Sequence, residues 1–187
     1  MKIVFSILLT AATLLALTAC QDEPPKPWIP VLEQVDFIGL HDAVAEAQRH
    51  VDQASAQLQS NGSGAAVKDL EMARQSLFKI ERYFLPMTEV RQLVYDADRV
   101  YFLGRTEAAQ GKLREATALL NKVGAAGGKS LDQAASEVVV KIEVLEHSIA
   151  TGSPQVAKEM RALGEKVNLM ILKGDLVLAG VTFPPGE

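Results

Sequence analysis

Cysteine is almost missing from this chain: Cys20 is the only one in 187 residues, beside one tryptophan and three histidines. A lone cysteine cannot close an intrachain disulfide or supply the several thiolates of a zinc or iron–sulfur site, so stability has to come from the core alone. Charge of one sign is not concentrated anywhere either. The formal net charge is −4 with acids and bases interspersed, which leaves no footprint for nucleic acid or for anionic headgroups. The sequence also lacks a Gly-rich phosphate loop, a Gly-x-Ser-x-Gly elbow, a His-Glu-x-x-His pair and a Cys-x-x-Cys-His haem attachment site. No catalytic, cofactor or metal residues are assigned on this basis, and an enzyme is not expected.

What is present begins with a leader. Lys2 precedes an uncharged apolar stretch from Ile3 to Leu17 that ends in small residues, the pattern of a signal peptide. The competing reading is a retained membrane helix, for which Ile3 to Cys20 is of marginal length against ~30 Å of hydrocarbon. The tetrapeptide Leu17-Thr18-Ala19-Cys20 decides between them, because it resembles the lipobox of bacterial lipoproteins. That resemblance implies a signal peptide over residues 1–19, release by the type II signal peptidase, and a mature chain that starts at a diacylated, usually N-acylated Cys20. It also implies a membrane anchor through lipid on Cys20, which removes the thiol from disulfide or nucleophilic chemistry. Two or three acyl chains anchor firmly where one holds weakly, since each buried methylene contributes ~0.8 kcal/mol. Gln21 in place of aspartate after the cysteine resembles the outer-membrane sorting class, so the expected location is the cell envelope, facing the periplasm if the host is Gram-negative.

Residues 20–31 carry Pro24, Pro25, Pro27 and Pro30. Proline fixes φ and donates no helix hydrogen bond, so this segment reads as a stiff tether of roughly 30 Å at ~3.1 Å per residue. Trp28, accompanied by Ile29 and Val31, is expected to dock on the body that follows, the other possibility being a place at the headgroup level of the membrane.

Residues 32–187 have a helical apolar period nearly throughout. Phe37, Leu40, Val44, Ala47, Val51, Ala54 and Leu58 form one stripe, and Ala66, Leu70, Ala73, Leu77, Ile80 and Phe84 form the next, which Pro86 is expected to close. Val90, Leu93, Val94, Ala97, Val100 and Tyr101 mark a third. Shifting the chain by 43 residues lays the Asn61–Gly64 turn on Gly104–Glu107 and the stripe Leu70, Ala73, Leu77, Ile80 on Leu113, Ala116, Leu120, Val123. A shift of 90 lays them on Thr151–Pro154 and on Met160, Leu163, Val167, Met170. The expected fold is all-α, with about six helices in three antiparallel hairpins forming a bundle or short solenoid. Gly124–Gly128 reads as a flexible loop before a capping box, Ser130-Leu131-Asp132-Gln133, that opens a helix bearing Ala135, Val138, Ile142, Leu145 and Ile149. Ser153-Pro154 reads as a cap before a proline at the first helical position. The apolar tail, Leu176 to Phe183, is expected in the core, the other possibility being a contact surface.

Candidate chemistry is thin. Glu46/His50 and Glu143/His147 each lie four apart, a spacing that could serve a metal between helices, yet both pairs read as helix-surface ion pairs and His41 stands alone. Met72, Met87, Met160 and Met170 read as core fillers. Arg91, Arg99 and Arg105 are interleaved with Glu89, Asp96 and Asp98 as a solvated face.

Two resemblances attach to the body. Leu103-Gly104 with Gly111, Ala116 and Leu120 resembles the tetratricopeptide spacing over one unit. From Ala43 to Leu178 the chain resembles the YfdX-type helical proteins, in its paired Ala/Leu helices and in Tyr83-Phe84-Leu85-Pro86-Met87. That resemblance implies a helical envelope protein without an assigned activity. The expected function is thus a lipid-anchored interaction or scaffold module with a protein partner in the envelope. A small-ligand or metal-binding bundle is the alternative.

Overall fold

The structure, a computed structural model, describes residues 31–60 and 62–184, and of residues 31–38 it describes the backbone alone. The leader, the Leu17–Cys20 motif and the proline-rich tether through Pro30 lie outside the described residues. Six long helices follow one another: α1 (Val31–Gln59), α2 (Ser63–Lys79), α3 (Leu85–Phe102), α4 (Thr106–Ala126), α5 (Gly128–Ala150) and α6 (Val156–Leu172). A single turn, α7 (Gly174–Val177), starts the tail, and no strand occurs among the described residues.

The hairpin turns fall where the internal repeat puts them. Between α3 and α4, Gly104 takes φ +73°, and between α5 and α6, Gly152 takes φ +65°, the left-handed region that costs glycine nothing. In each turn two amides reach back to the helix just ended, Gly104 and Arg105 N–H to the Tyr101 and Val100 carbonyls and Gly152 and Ser153 N–H to the Ile149 and Ser148 carbonyls, which satisfies orphan C=O groups at the helix end.

Three expected punctuation marks differ. Helix α6 starts at Val156 with Gln155 as its cap residue, so Pro154 stands in the turn before it and Ser153 Oγ accepts from Gln155 N–H within that turn. Pro86 does not close a helix: α2 runs through a π-helical turn at Ile80–Phe84 into α3, with Leu85 N–H bonded to the Ile80 carbonyl. The widened turn places Pro86 in the first turn of α3, where its missing N–H is not needed. Gly124–Gly128 is likewise not a loop. Helix α4 continues to Ala126, and Gly127 alone breaks the chain before α5, so Ser130 lies inside a helix and caps nothing. The close approach explains the glycine, since a Cβ on Gly127 would lie 2.2 Å from Leu131 Cδ2.

Helices α3, α4, α5 and α6 close a four-helix body, with α3 against α4 and α6, and α5 against α4 and α6. Their stripes meet in its centre: Met87, Val90, Val94, Leu113, Leu120, Leu131, Val138, Ile142, Leu145, Leu163 and Val167 are all buried. Each such aliphatic side chain contributes about 1.5–3 kcal/mol on leaving water. The expected all-α hairpin architecture holds for this half without exception.

Tyr83 and Phe84 join the body to the rest. Their rings meet edge to face at 5.3 Å, and Tyr83 Oη donates to the Met170 carbonyl of α6 at 2.7 Å. Phe84 is clasped between two glycines: a Cβ on Gly39 of α1 or on Gly174 of α7 would come within 2.7 and 2.8 Å of its Cε1. Burial and the nearby Asp175 charge push the Tyr83 phenol well above its ordinary pKa, so it stays a donor. The tail then packs as expected, with Leu178 and Phe183 buried, although Leu176 is exposed.

Candidate functional site

Helices α1 and α2 form the first hairpin, and its seam is made of small and polar residues. Ala43, Ala47, His50 and Ala54 of α1 are buried, as are Ala66, Ala73 and Ser76 of α2. Polar bonds set the register. His50 Nδ1 lies 2.9 Å from Asp69 Oδ1, Gln57 Nε2 donates to Asp69 Oδ2 at 2.8 Å, and Glu46 Oε2 accepts from Ser76 Oγ at 3.0 Å and from Lys79 Nζ at 3.2 Å. Arg49 Nη2 lies 2.8 Å from His50 Nε2. Arginine can only donate and the Asp69 carboxylate can only accept, so the ring carries its proton on Nδ1. The His50 hydrogen bond leads in holding the Asp69 carboxyl below its ordinary pKa, helped against burial by Gln57. Burial pushes the Glu46 carboxyl up, but the bonds from Ser76 and Lys79 outweigh it and hold the group below its ordinary value.

Glu46 and His50 are therefore not the surface ion pair their spacing suggests. Glu46 and His50 both turn to α2 and take different partners there, and His50 is buried. Glu143 and His147 are exposed on α5. His41 lies beside Asp42 on the surface at 3.6 Å. Among the described residues no three His, Cys, Asp or Glu side chains converge on a possible metal position.

The two faces of this hairpin differ. On one, a cleft of about 820 Å³ opens between the hairpin and the tail, lined by Asp42, Glu46, Met72, Lys79, Phe84 and Asp175 among others. Met72 belongs to this cleft and is 42% exposed, so it is not the core filler its spacing suggested. The tail is strapped to α2 there: Gln75 and Phe183 exchange two hydrogen bonds, Nε2 to the Phe183 carbonyl at 3.1 Å and Phe183 N–H to Oε1 at 3.0 Å. Arg82 adds one to the Pro184 carbonyl at 2.9 Å.

The other face is apolar and open. Val44, Val51 and Leu58 of α1 are 49, 43 and 56% exposed, and Leu70 and Leu77 of α2 are 48 and 53% exposed. Each follows directly on a seam residue: Val44 on Ala43, Val51 on His50, Leu58 on Gln57, Leu70 on Asp69, Leu77 on Ser76. One residue is a 100° step round a right-handed helix, and in an antiparallel pair that step leads to the same side of both helices. The cross-helix bonds set Leu77 between the levels of Val44 and Val51, and Leu70 between Val51 and Leu58. The five side chains form one zigzag ladder. Their spacing marks them as core in the sequence, and the structure leaves them uncovered, the other two hairpins being closed on each other.

The class defined by this arrangement is a helical-hairpin protein in which two hairpins close on each other and a third keeps one apolar face open. The chain belongs to the YfdX family, whose model, described as YfdX protein, matches residues 6–126. No curated protein and no solved structure matches the chain. The match takes in the first hairpin and the Tyr83–Met87 segment and ends on the last residue of α4, so it starts earlier and stops sooner than the Ala43–Leu178 span of the resemblance. Leu103-Gly104, which opens the tetratricopeptide-like spacing, falls in the turn between α3 and α4.

Proposed function

We propose that this YfdX-family chain is a lipid-anchored cell-envelope protein that works by docking a protein partner on its first hairpin, without catalysis of its own. The ladder of Val44, Val51, Leu58, Leu70 and Leu77 carries the reading, because contiguous exposed apolar surface on a helical pair is what a partner helix packs against. The Leu17–Cys20 lipobox supplies the anchor in this reading and the proline-rich tether sets the reach. Crosslinking in intact envelopes followed by purification tests it: a specific partner should be recovered through the hairpin and lost when Leu70 and Leu77 are changed to aspartate. Recovery of no specific protein would overturn it. The anchor has its own test, in that Cys20→Ser should abolish palmitate labelling and signal-peptidase II processing while the helical content stays unchanged. A variant still labelled and processed would refute lipidation at Cys20.

A second reading is favoured by the cleft between the hairpin and the tail, whose volume and mixed lining suit a small organic ligand. A ligand there would raise the melting temperature of the wild type but not of a Met72→Trp variant that fills the space.

A further inference from the structure

We infer that the cleft between the first hairpin and the tail is a site for a small organic cation, an amine carried on an apolar body. The inference rests on the cleft reading above and names its class of ligand.

The charges of the cleft are one-sided. Asp42, Glu46, Glu71 and Asp175 line it, and Lys79 is the one base among its described lining residues. Lys79 is not available to a ligand, because its Nζ lies 3.2 Å from Glu46 Oε2 and the two charges offset each other. Glu71 is matched in the same way by the Arg74 guanidinium at 2.6 Å. Asp42 and Asp175 are left over. Asp42 has the exposed His41 imidazole beside it at 3.6 Å, too far for a hydrogen bond. The Asp175 carboxylate enters no hydrogen bond or ion pair with another described residue. Its charge is felt at Tyr83, where, after burial, it pushes the phenol up. Between low-dielectric walls, charges of one sign draw counter-ions in and keep like charges out. An anion would meet the only lysine already bonded and two carboxylates against it.

The remaining lining says which kind of cation. Met72, Phe84, Leu178 and Val181 give the cleft apolar walls, and the unbranched Met72 thioether can shape itself to what lies on it. A metal ion has no use for such walls and asks for several oxygen ligands at once, whereas among the described residues no three acidic or imidazole groups converge. An amine needs one or two carboxylates for its head and apolar contact for its body, and both are present. The volume of about 820 Å³ lies in the range of sites that enclose most of a drug-sized molecule.

The test titrates two matched probes into the isotope-labelled full chain, tryptamine as the cation and indolepropionate as an anion on the same ring. Tryptamine should shift the amide signals of Glu46, Met72, Asp175 and Gly180 saturably, and indolepropionate should bind at least about tenfold more weakly, since it meets the same walls and the opposite charge. Asp42→Asn with Asp175→Asn removes both leftover charges at exposed positions and should weaken tryptamine at least about fivefold without weakening indolepropionate. Should that double variant lose its helical circular dichroism, Asp42→Asn alone should still weaken tryptamine about twofold or more. Met72→Trp, which fills the space, should abolish the binding of both probes. Equal affinity for the two probes, a preference for indolepropionate, or a double variant that binds tryptamine as the wild type does overturns the cation, and the cleft reading then stands without it. Binding that survives Met72→Trp, or no saturable shift at the cleft with either probe, overturns both.

Discussion

Leu77 and Leu120 stand at equivalent places 43 residues apart, yet Leu77 is 53% exposed and Leu120 fully buried. The hairpins that carry them share turn position, apolar spacing and three seam alanines, Ala54, Ala66 and Ala73 answering to the buried Ala97, Ala109 and Ala116, and differ in the polar network of the first seam and in what lies over the large residues. In the second hairpin the large residues face inward, and the third hairpin closes over them. In the first, the seam takes Ala43, Ala47, Ala54, Ala66 and Ala73 together with the His50–Asp69–Gln57 network, and the large residues stand one step round the helix. The lesson is that an apolar stripe states only that a face wants covering. Whether it is covered depends on whether another hairpin of the chain is left to lie over it, as the third lies over the second.

The sharpest way to break this comparison is to truncate both leucines. Leu120→Ala should cost about 2–5 kcal/mol in urea unfolding, the range for emptying a packed aliphatic site. Leu77→Ala, measured at a concentration low enough for the single chain, should cost less than about 1 kcal/mol, as a half-exposed position does. Equal losses would mean that Leu77 is covered within the chain, and the distinction between the hairpins would disappear.

A middle-sized effect tests how the first hairpin is fastened to the body. Gly39→Ala places a Cβ 2.7 Å from Phe84 Cε1, and Gly174 already packs closely against the same edge of the ring. The ring is buried, so destabilisation of about 1–3 kcal/mol is expected, the usual cost of overpacking. Amide exchange should speed up in α1 and α7 more than in α4. Faster exchange centred on α4 instead would show that the Phe84 clasp fastens the body rather than the hairpin.

Much of this was legible in the residues. The turns at Gly104 and Gly152, the four-helix body and the buried face of α5 follow from period and punctuation, because there every stripe is covered by another stripe of the same chain. The first hairpin was not legible for a definite reason. Its stripes hold the seam alanines Ala47, Ala54, Ala66 and Ala73 beside Val44, Val51, Leu58, Leu70 and Leu77, and period alone does not say that the small residues are the buried half, nor that His50, Gln57 and Asp69 complete the seam. His50 had the same fate: a flanking position four residues from a glutamate suggests a surface pair, and only the opposing helix, with Asp69 nineteen residues on, reveals a buried one. The π turn left no spacing signal that Pro86 did not outweigh. The cleft depends on Gln75 meeting Phe183 across 108 residues, a contact that no local pattern encodes.

The smallest effect expected is also the one that separates the seams by chemistry. Asp69 has its pKa lowered in the folded chain, chiefly by the His50 hydrogen bond, so it binds its proton less readily folded than unfolded. Its contribution is then fully present above the ordinary aspartate pKa of about 3.9 and is lost as pH falls from there through the folded value. The seam of the second hairpin has no such group among its buried residues. Amide exchange followed from pH 6 down to pH 3, corrected for the intrinsic rate, should therefore show α2 opening ahead of α4. Asp69→Asn keeps the size of the side chain and removes the titration, so the lead of α2 over α4 should flatten across that range. If the lead persists unchanged in Asp69→Asn, the acid sensitivity of the first hairpin lies elsewhere, with Glu46, whose pKa is also lowered, as the next residue to neutralise.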